Sequence, residues 1–158
     1  MKLPIFLVIL LLTANRAGAA DITLESVVEQ MNAYRTAAGL DPLRADERLT
    51  RAATMRMRDM EDLGYWDHVA PDGRSPFDMI RPTGYRFQAA GENLARGFET
   101  VELLVQSWME SKGHRANILS PVYQDCGIAV LEGSTMGRAT GRSIVVLFGR
   151  PRYETSGQ

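Results

Sequence analysis

One cysteine is too few for a disulfide within the chain. Cys126 stands alone, so the fold must hold without a covalent staple. Long apolar runs are also missing. Leu3 to Leu12 is apolar apart from Pro4, about half of the ~20 residues that a membrane-spanning helix needs. Once Lys2 and Arg16 are set aside with the leader, 16 basic residues face 19 acidic ones, a net charge of −3. No basic stripe for nucleic acid and no polybasic membrane patch runs along the sequence. Nothing is repeated or of low complexity, and no internal linker divides the chain. H-E-x-x-H, G-x-S-x-G and the P-loop pattern are all absent. Their absence excludes a zincin helix, a nucleophile elbow and a phosphate-cradling loop. Histidine is scarce, with two in the whole chain, His68 and His114.

The first twenty residues have the layout of a secretory signal peptide. Lys2 supplies a short positive start, the apolar run follows, and Ala17-Gly18-Ala19-Ala20 offers small residues for cleavage. No cysteine follows them, so a lipoprotein anchor is not indicated. Residues 1–20 are therefore expected to be a signal peptide and residues 21–158 one exported domain, secreted to the periplasm or the medium. About 138 residues can bury a core of their own.

Apolar periodicity predicts the elements. Leu24, Val27, Val28, Met31 and Tyr34 mark a first helix, capped by Asp21 or Thr23 and ended by Gly39. Leu40, Pro42 and Leu43 form an apolar link. A second helix spans about 46–63, with Leu49, Ala52, Ala53, Met57, Met60 and Leu63 inward, Arg48, Arg51, Arg58 and Asp59 outward, and Gly64 as its stop. Pro71-Asp72-Gly73 is a turn, and Ser75-Pro76 opens a short helix to about Ile80. A strand runs from about Tyr85 through Gly91-Glu92-Asn93-Leu94-Ala95. A third helix covers about 100–111, and Gly113 is expected to interrupt it before a helical turn from His114 to Leu119. Two strands follow, Cys126 to Leu131 and Ile144 to Phe148. The second is wholly apolar and is expected to be buried on both faces. Helices first and adjacent strands last point to an α+β fold with an antiparallel sheet packed against helices.

Three residues are candidates for chemistry. His68 lies in an irregular stretch after the second helix. His114 lies at a helix interruption. Glu92 lies in a strand between Gly91 and Asn93, where a carboxylate can point from a sheet edge or simply accept backbone N–H groups. Each histidine on its own is more often an ordinary surface residue than a ligand. Cys126, in an alternating strand, reads as a small buried hydrophobe.

Several segments taken in order carry a resemblance. They are Asp67-His68, then Pro71-Asp72-Gly73-Arg74-Ser75-Pro76-Phe77, Gly91-Glu92-Asn93-Leu94-Ala95, Trp108, Gly113-His114-Arg115-Ala116-Asn117-Ile118-Leu119, and Cys126-Gly127-Ile128-Ala129-Val130. Together they resemble the bacterial secreted branch of the CAP superfamily, the SCP-domain family of cysteine-rich secretory, antigen 5 and PR-1-like proteins. The resemblance implies a three-layer α-β-α sandwich with a central antiparallel sheet. It also implies a cleft lined by His68, His114 and Glu92. The family's second glutamate lies three residues after the helix tryptophan, where this chain has Ser111. Glu110, one residue earlier, is the nearest candidate for that role. Arg115 is expected to pair with Glu92 or Glu110, Trp108 to be core, and Asn93 and Asn117 to bind backbone. Gly91 and Gly113 are expected to permit backbone geometry.

Two imidazoles can hold Zn²⁺ or a similar divalent cation, which makes His68 and His114 the candidate metal ligands. The implied function is binding of a small-molecule, lipid or envelope ligand, with no nucleic-acid partner and no transmembrane anchor. A metal-dependent hydrolase, or a protease using Ser107 or Ser111, is one alternative. A lipid- or sterol-binding module is another.

Overall fold

The computed structural model of the chain describes residues 21–133 and 141–153. The expected signal peptide lies outside these residues, as does most of the polar connection before the last strand. Among the described residues no helix is long and apolar enough to cross a membrane.

Helix α1 (Leu24–Ala37) begins at Thr23, not Asp21. The Thr23 hydroxyl accepts the Ser26 N–H at 3.1 Å and the Ser26 hydroxyl accepts the Thr23 N–H at 2.9 Å, a reciprocal cap. Strand β1 (Arg44–Ala45) follows. Helix α2 (Glu47–Leu63) starts where Asp46 accepts the Arg48 and Leu49 N–H groups, and it ends at Gly64, left-handed at φ 68°. Two 3₁₀ turns, Pro76–Met79 and Arg81–Thr83, stand where one short helix was expected. Strand β2 (Phe87–Phe98), helix α3 (Val101–Glu110), helix α4 (Lys112–Ile118), strand β3 (Asp125–Leu131) and strand β4 (Arg142–Pro151) complete the order.

The break between α3 and α4 is not at Gly113. It falls at Ser111, whose backbone is extended at φ −88°, ψ 122°. Gly113 has no positive φ, and a Cβ there would meet nothing within 4 Å. Neither turn geometry nor crowding therefore requires glycine at this position.

The strands form one sheet in the order β1-β3-β4-β2. The three long strands are antiparallel, as expected. The two-residue β1 adds a parallel edge beside Asp125 and Cys126. The apolar link before it concealed this strand. The Arg44 N–H donates to the Gln124 carbonyl and the Asp46 N–H to the Cys126 carbonyl, each at 2.9 Å.

Central β4 is buried on both faces and feeds two cores. Ile144, Val146 and Phe148 pack with α1, α3 and α4 through Val27, Met31, Leu104, Trp108 and Ile118. Val145 and Leu147 pack with α2 and the 3₁₀ turns through Leu49, Ala53, Met60 and Ile80. This is the expected sandwich of helices, sheet and helices. Gly127 sets the spacing of the α2 layer. A Cβ there would sit 2.1 Å from the Leu49 carbonyl carbon and the Thr50 nitrogen, so helix backbone lies directly on strand backbone.

Candidate functional site

The side-chain alternation of β2 sends neighbouring residues to opposite layers. Leu94 joins the α2 core and Ala95 joins the α1–α3–α4 core. By the same alternation Glu92 faces α2 and Asn93 faces α4. β2 is the last strand of the sheet, and among the described residues its outer side has no strand partner. The site is built around this margin.

Arg56 of α2 organises one half. Its side chain is fully buried, at 0% exposure. Nε donates to Glu92 Oε2 at 3.0 Å. One terminal nitrogen donates to the Tyr65 hydroxyl and the other to the Asp67 carbonyl. The Tyr65 hydroxyl in turn donates to Asp59, which also accepts from Arg74 at 2.8 Å. Burial and the bond to Asp59 push the Tyr65 phenol up to about 12, so it remains a proton donor. This network fixes the irregular loop that carries His68. Nδ1 of His68 lies 2.7 Å from Glu92 Oε1. With Glu92 ionised, Nδ1–H donates and Nε2 keeps a lone pair on a side chain that is 56% exposed. Burial raises the Glu92 carboxyl above its ordinary value, and the charges of Arg56 and His68 oppose that rise.

Asparagines organise the other half. Asn93 Nδ2 donates to the His114 carbonyl at 3.2 Å. Asn117 Nδ2 donates to the Glu92 carbonyl at 3.0 Å and to Asn93 Oδ1 at 2.8 Å. Trp108 is core and donates from Nε1 to the Leu94 carbonyl at 3.2 Å. Its ring lies 6.4 Å from the His114 ring. Gly91 is needed for close approach, since a Cβ there would lie 2.6 Å from Tyr123 Oη and 3.1 Å from Asn117 Oδ1. Burial lowers the His114 pKa from its ordinary value, and the charge of His68 lowers it further. His114 therefore favours the neutral form.

The structure joins His68 to Glu92 directly, and ties the backbone of His114 to β2 through Asn93. Glu110 is exposed on α3 and accepts from Gln106 one turn earlier, at 3.1 Å. Arg115 pairs with neither glutamate. Its guanidinium donates to the Met109 carbonyl at 3.2 Å, and Glu92 already has Arg56. Cys126 is buried and its thiol is pushed up to about 12 by burial, which suits an inert core residue. Sequence reasoning missed Arg56. The signal was its position, four residues after Ala52 and four before Met60, on the apolar stripe itself.

His68 and His114 are the residues that could serve a divalent cation. Two neutral imidazoles suit a borderline ion, and Glu92 gives His68 the carboxylate partner usual behind such a ligand. These residues do not make a closed structural site. Among the described residues no group of three or more His, Cys, Asp or Glu side chains is placed to hold a metal. The better-formed cavities, of about 310–440 Å³, are lined by other residues.

Comparison with known proteins matches the chain to one family. The profile of CAP, the cysteine-rich secretory protein family, matches residues 28–147. YkwD of Bacillus subtilis is 43% identical over 124 residues, covering 78% of this chain and 48% of that protein. The B. subtilis membrane protein YlbC is 29% identical over 106 residues, covering 67% of this chain and 31% of that protein. This chain thus spans about half the length of the first relative and less of the second. The crystal structure of an extracellular SCP-domain protein from Bacillus anthracis superposes with a TM-score of 0.68 at 25% identity, over 80% of this chain and 39% of that one. An outer surface protein from Borrelia burgdorferi superposes with a TM-score of 0.71 at 22% identity, over 85% of this chain and all of that one.

Proposed function

The chain belongs to the CAP, or cysteine-rich secretory protein, family, and from that premise we propose that it is an exported binding domain whose His68–Glu92–His114 site takes a divalent cation and, with it, an extracellular or envelope ligand. Export is supported by the signal-peptide layout of residues 1–20. It is also supported by the description of one structural relative as extracellular and of another as an outer surface protein.

The observation that carries the reading is the 2.7 Å contact between His68 Nδ1 and Glu92 Oε1, with Glu92 held from behind by Arg56. A carboxylate so placed fixes the ring and leaves the other ring nitrogen free to face a ligand. His68 and His114 would hold the cation. Two protein ligands leave the rest of its coordination to water or to oxygens of a bound ligand, and the cation would act by polarising them.

Titration calorimetry with Zn²⁺ tests this. Wild type binds, and His68→Ala/His114→Ala does not. Glu92→Gln weakens binding by about 10- to 100-fold, the usual effect of losing a partner behind a ligating histidine. Equal binding by wild type and the double variant would sink the metal assignment.

A further inference from the structure

The basic residues are dispersed in the sequence, but folding gathers several of them at the end of the sheet far from His68. Arg81 comes from the second 3₁₀ turn, Arg86 from the residue before β2, and Arg152 from the residue after β4. The Arg152 N–H donates to the Arg86 carbonyl at 2.8 Å, which ties these two segments together. With Tyr85 and Phe87 the three arginines line a cavity of about 440 Å³. Arg86 and Arg152 also line a second cavity of about 310 Å³, with Arg48 and Tyr153. The Arg81 guanidinium lies over the Phe87 ring, 5.6 Å from its centroid, and that of Arg48 over Tyr85 at 5.0 Å, contacts that hold guanidinium planes in place.

Carboxylates answer the charge of Arg81 and Arg152 only in part. Asp46 pairs closely with Arg48 at 2.7 Å. Asp78 is 3.9 Å from Arg81, both side chains being largely exposed, a geometry that contributes little. Asp125 is buried and accepts from Tyr85 and Arg44. Arg152 is exposed and makes no ion pair among the described residues.

We propose that this arginine-lined cavity is a second binding site, for a phosphoryl-bearing anion. Each guanidinium is a rigid fork that matches an oxyanion through two parallel N–H donors. Two such forks, from Arg81 and Arg152 on separate chain segments, suit a group with three or more acceptor oxygens better than a carboxylate, which has two. A concave site of this size admits linked phosphoryl groups. The site is separate from the one at the margin of β2. Phe87 precedes Glu92 by five residues on that strand, roughly 17 Å at the rise of an extended chain. The same chemistry could be carried by a soluble polyphosphate-type anion or by a lipid headgroup.

Binding of sodium tripolyphosphate to the purified protein, followed by calorimetry, is the direct test. Sedimentation with phosphatidylglycerol vesicles, against phosphatidylcholine vesicles, separates the two sources. Saturable binding of tripolyphosphate is expected, weakened about tenfold or more in Arg81→Ala/Arg152→Ala and unchanged in His68→Ala/His114→Ala. Binding to phosphatidylglycerol vesicles alone, lost in the same arginine variant, would support the site and assign its source to a headgroup. The variant should keep the wild-type thermal midpoint, because both side chains are exposed. Arg81→Lys/Arg152→Lys should also bind more weakly, since lysine keeps the charge and loses the fork. No binding to either probe, or equal binding by wild type and either arginine variant, would overturn the proposal.

Discussion

Arg35 and Arg56 sit in opposite helical layers, at 1% and 0% exposure. Each occupies a position on its helix where an apolar residue would be expected. Arg35 donates to four backbone carbonyls: Asp41, Ile118 and Ser120 at 2.8 Å each and Tyr123 at 3.3 Å. It stitches α1 to the end of α4 and the loop beyond, where helix-terminal carbonyls lack internal donors. Burial lowers its pKa, the charges of Cys126 and Asp41 opposing that shift without cancelling it. Arg56 instead faces a carboxylate and reaches one loop carbonyl. The difference separates a latch from a site. Carbonyl dipoles satisfy a buried cation and leave nothing for a ligand. A glutamate satisfies it with one oxygen and presents the other to His68.

The sharpest test of this contrast is removal of each guanidinium in turn. Arg56→Met leaves Glu92 buried without its cation and should destabilise the fold by about 3–5 kcal/mol, read from urea unfolding. Adding Glu92→Gln should recover part of that loss, because the stranded charge is then gone. Arg35→Met should lower stability by about 2–3 kcal/mol through unsatisfied carbonyls. Combined with Glu92→Gln it should be additive, since the two sites share no partner. Rescue of Arg35→Met by Glu92→Gln would break the comparison.

The smallest effect is on pH. The folded pKa of His114 is lowered below its ordinary 6.5, so the folded state binds fewer protons than the unfolded chain between the two values. The contribution of His114 to stability is therefore present above about pH 6.5 and is lost as pH falls through the folded pKa. Unfolding midpoints measured across that window should slope less in His114→Gln than in wild type. In NMR titration His68→Ala should move the His114 midpoint upward. An unmoved midpoint would show that the two rings do not sense each other.

These two arginines also mark where the sequence was readable and where it was not. Apolar periodicity located the helices, because α2 buries Leu49, Ala53 and Met60 as spaced. Alternation located β3, and the apolar run of β4 revealed its central place. The same periodicity has no means of showing what a charged residue on an apolar stripe will meet. Arg35 follows Met31 by four residues, and Arg56 follows Ala52 by four. Their partners are 36 residues away or more along the chain for Glu92, Ile118 and Tyr123. β1 was hidden for a related reason, since two residues carry no period and their pairing depends on Asp125 and Cys126. Of the candidate site, His68 and Glu92, which the structure joins, were singled out by their motifs. The partner of Glu110 was not, since its hydrogen bond with Gln106 is a choice among surface contacts one helical turn apart.

The open side of β2 has a mechanical consequence. His68 travels with the α2 layer and His114 with the α4 layer, and the two are joined through β2, by the Glu92 contact on one side and the Asn93 and Asn117 hydrogen bonds on the other. A cation held by both imidazoles would act as a clasp across the margin of the sheet. Opening or sliding of either layer would release it, and its presence would resist that opening. At a hundredfold excess over its dissociation constant such a clasp contributes about 2.7 kcal/mol. A chain with no possible internal disulfide would then carry a removable fastening, strong where the ion is plentiful and absent where it is not.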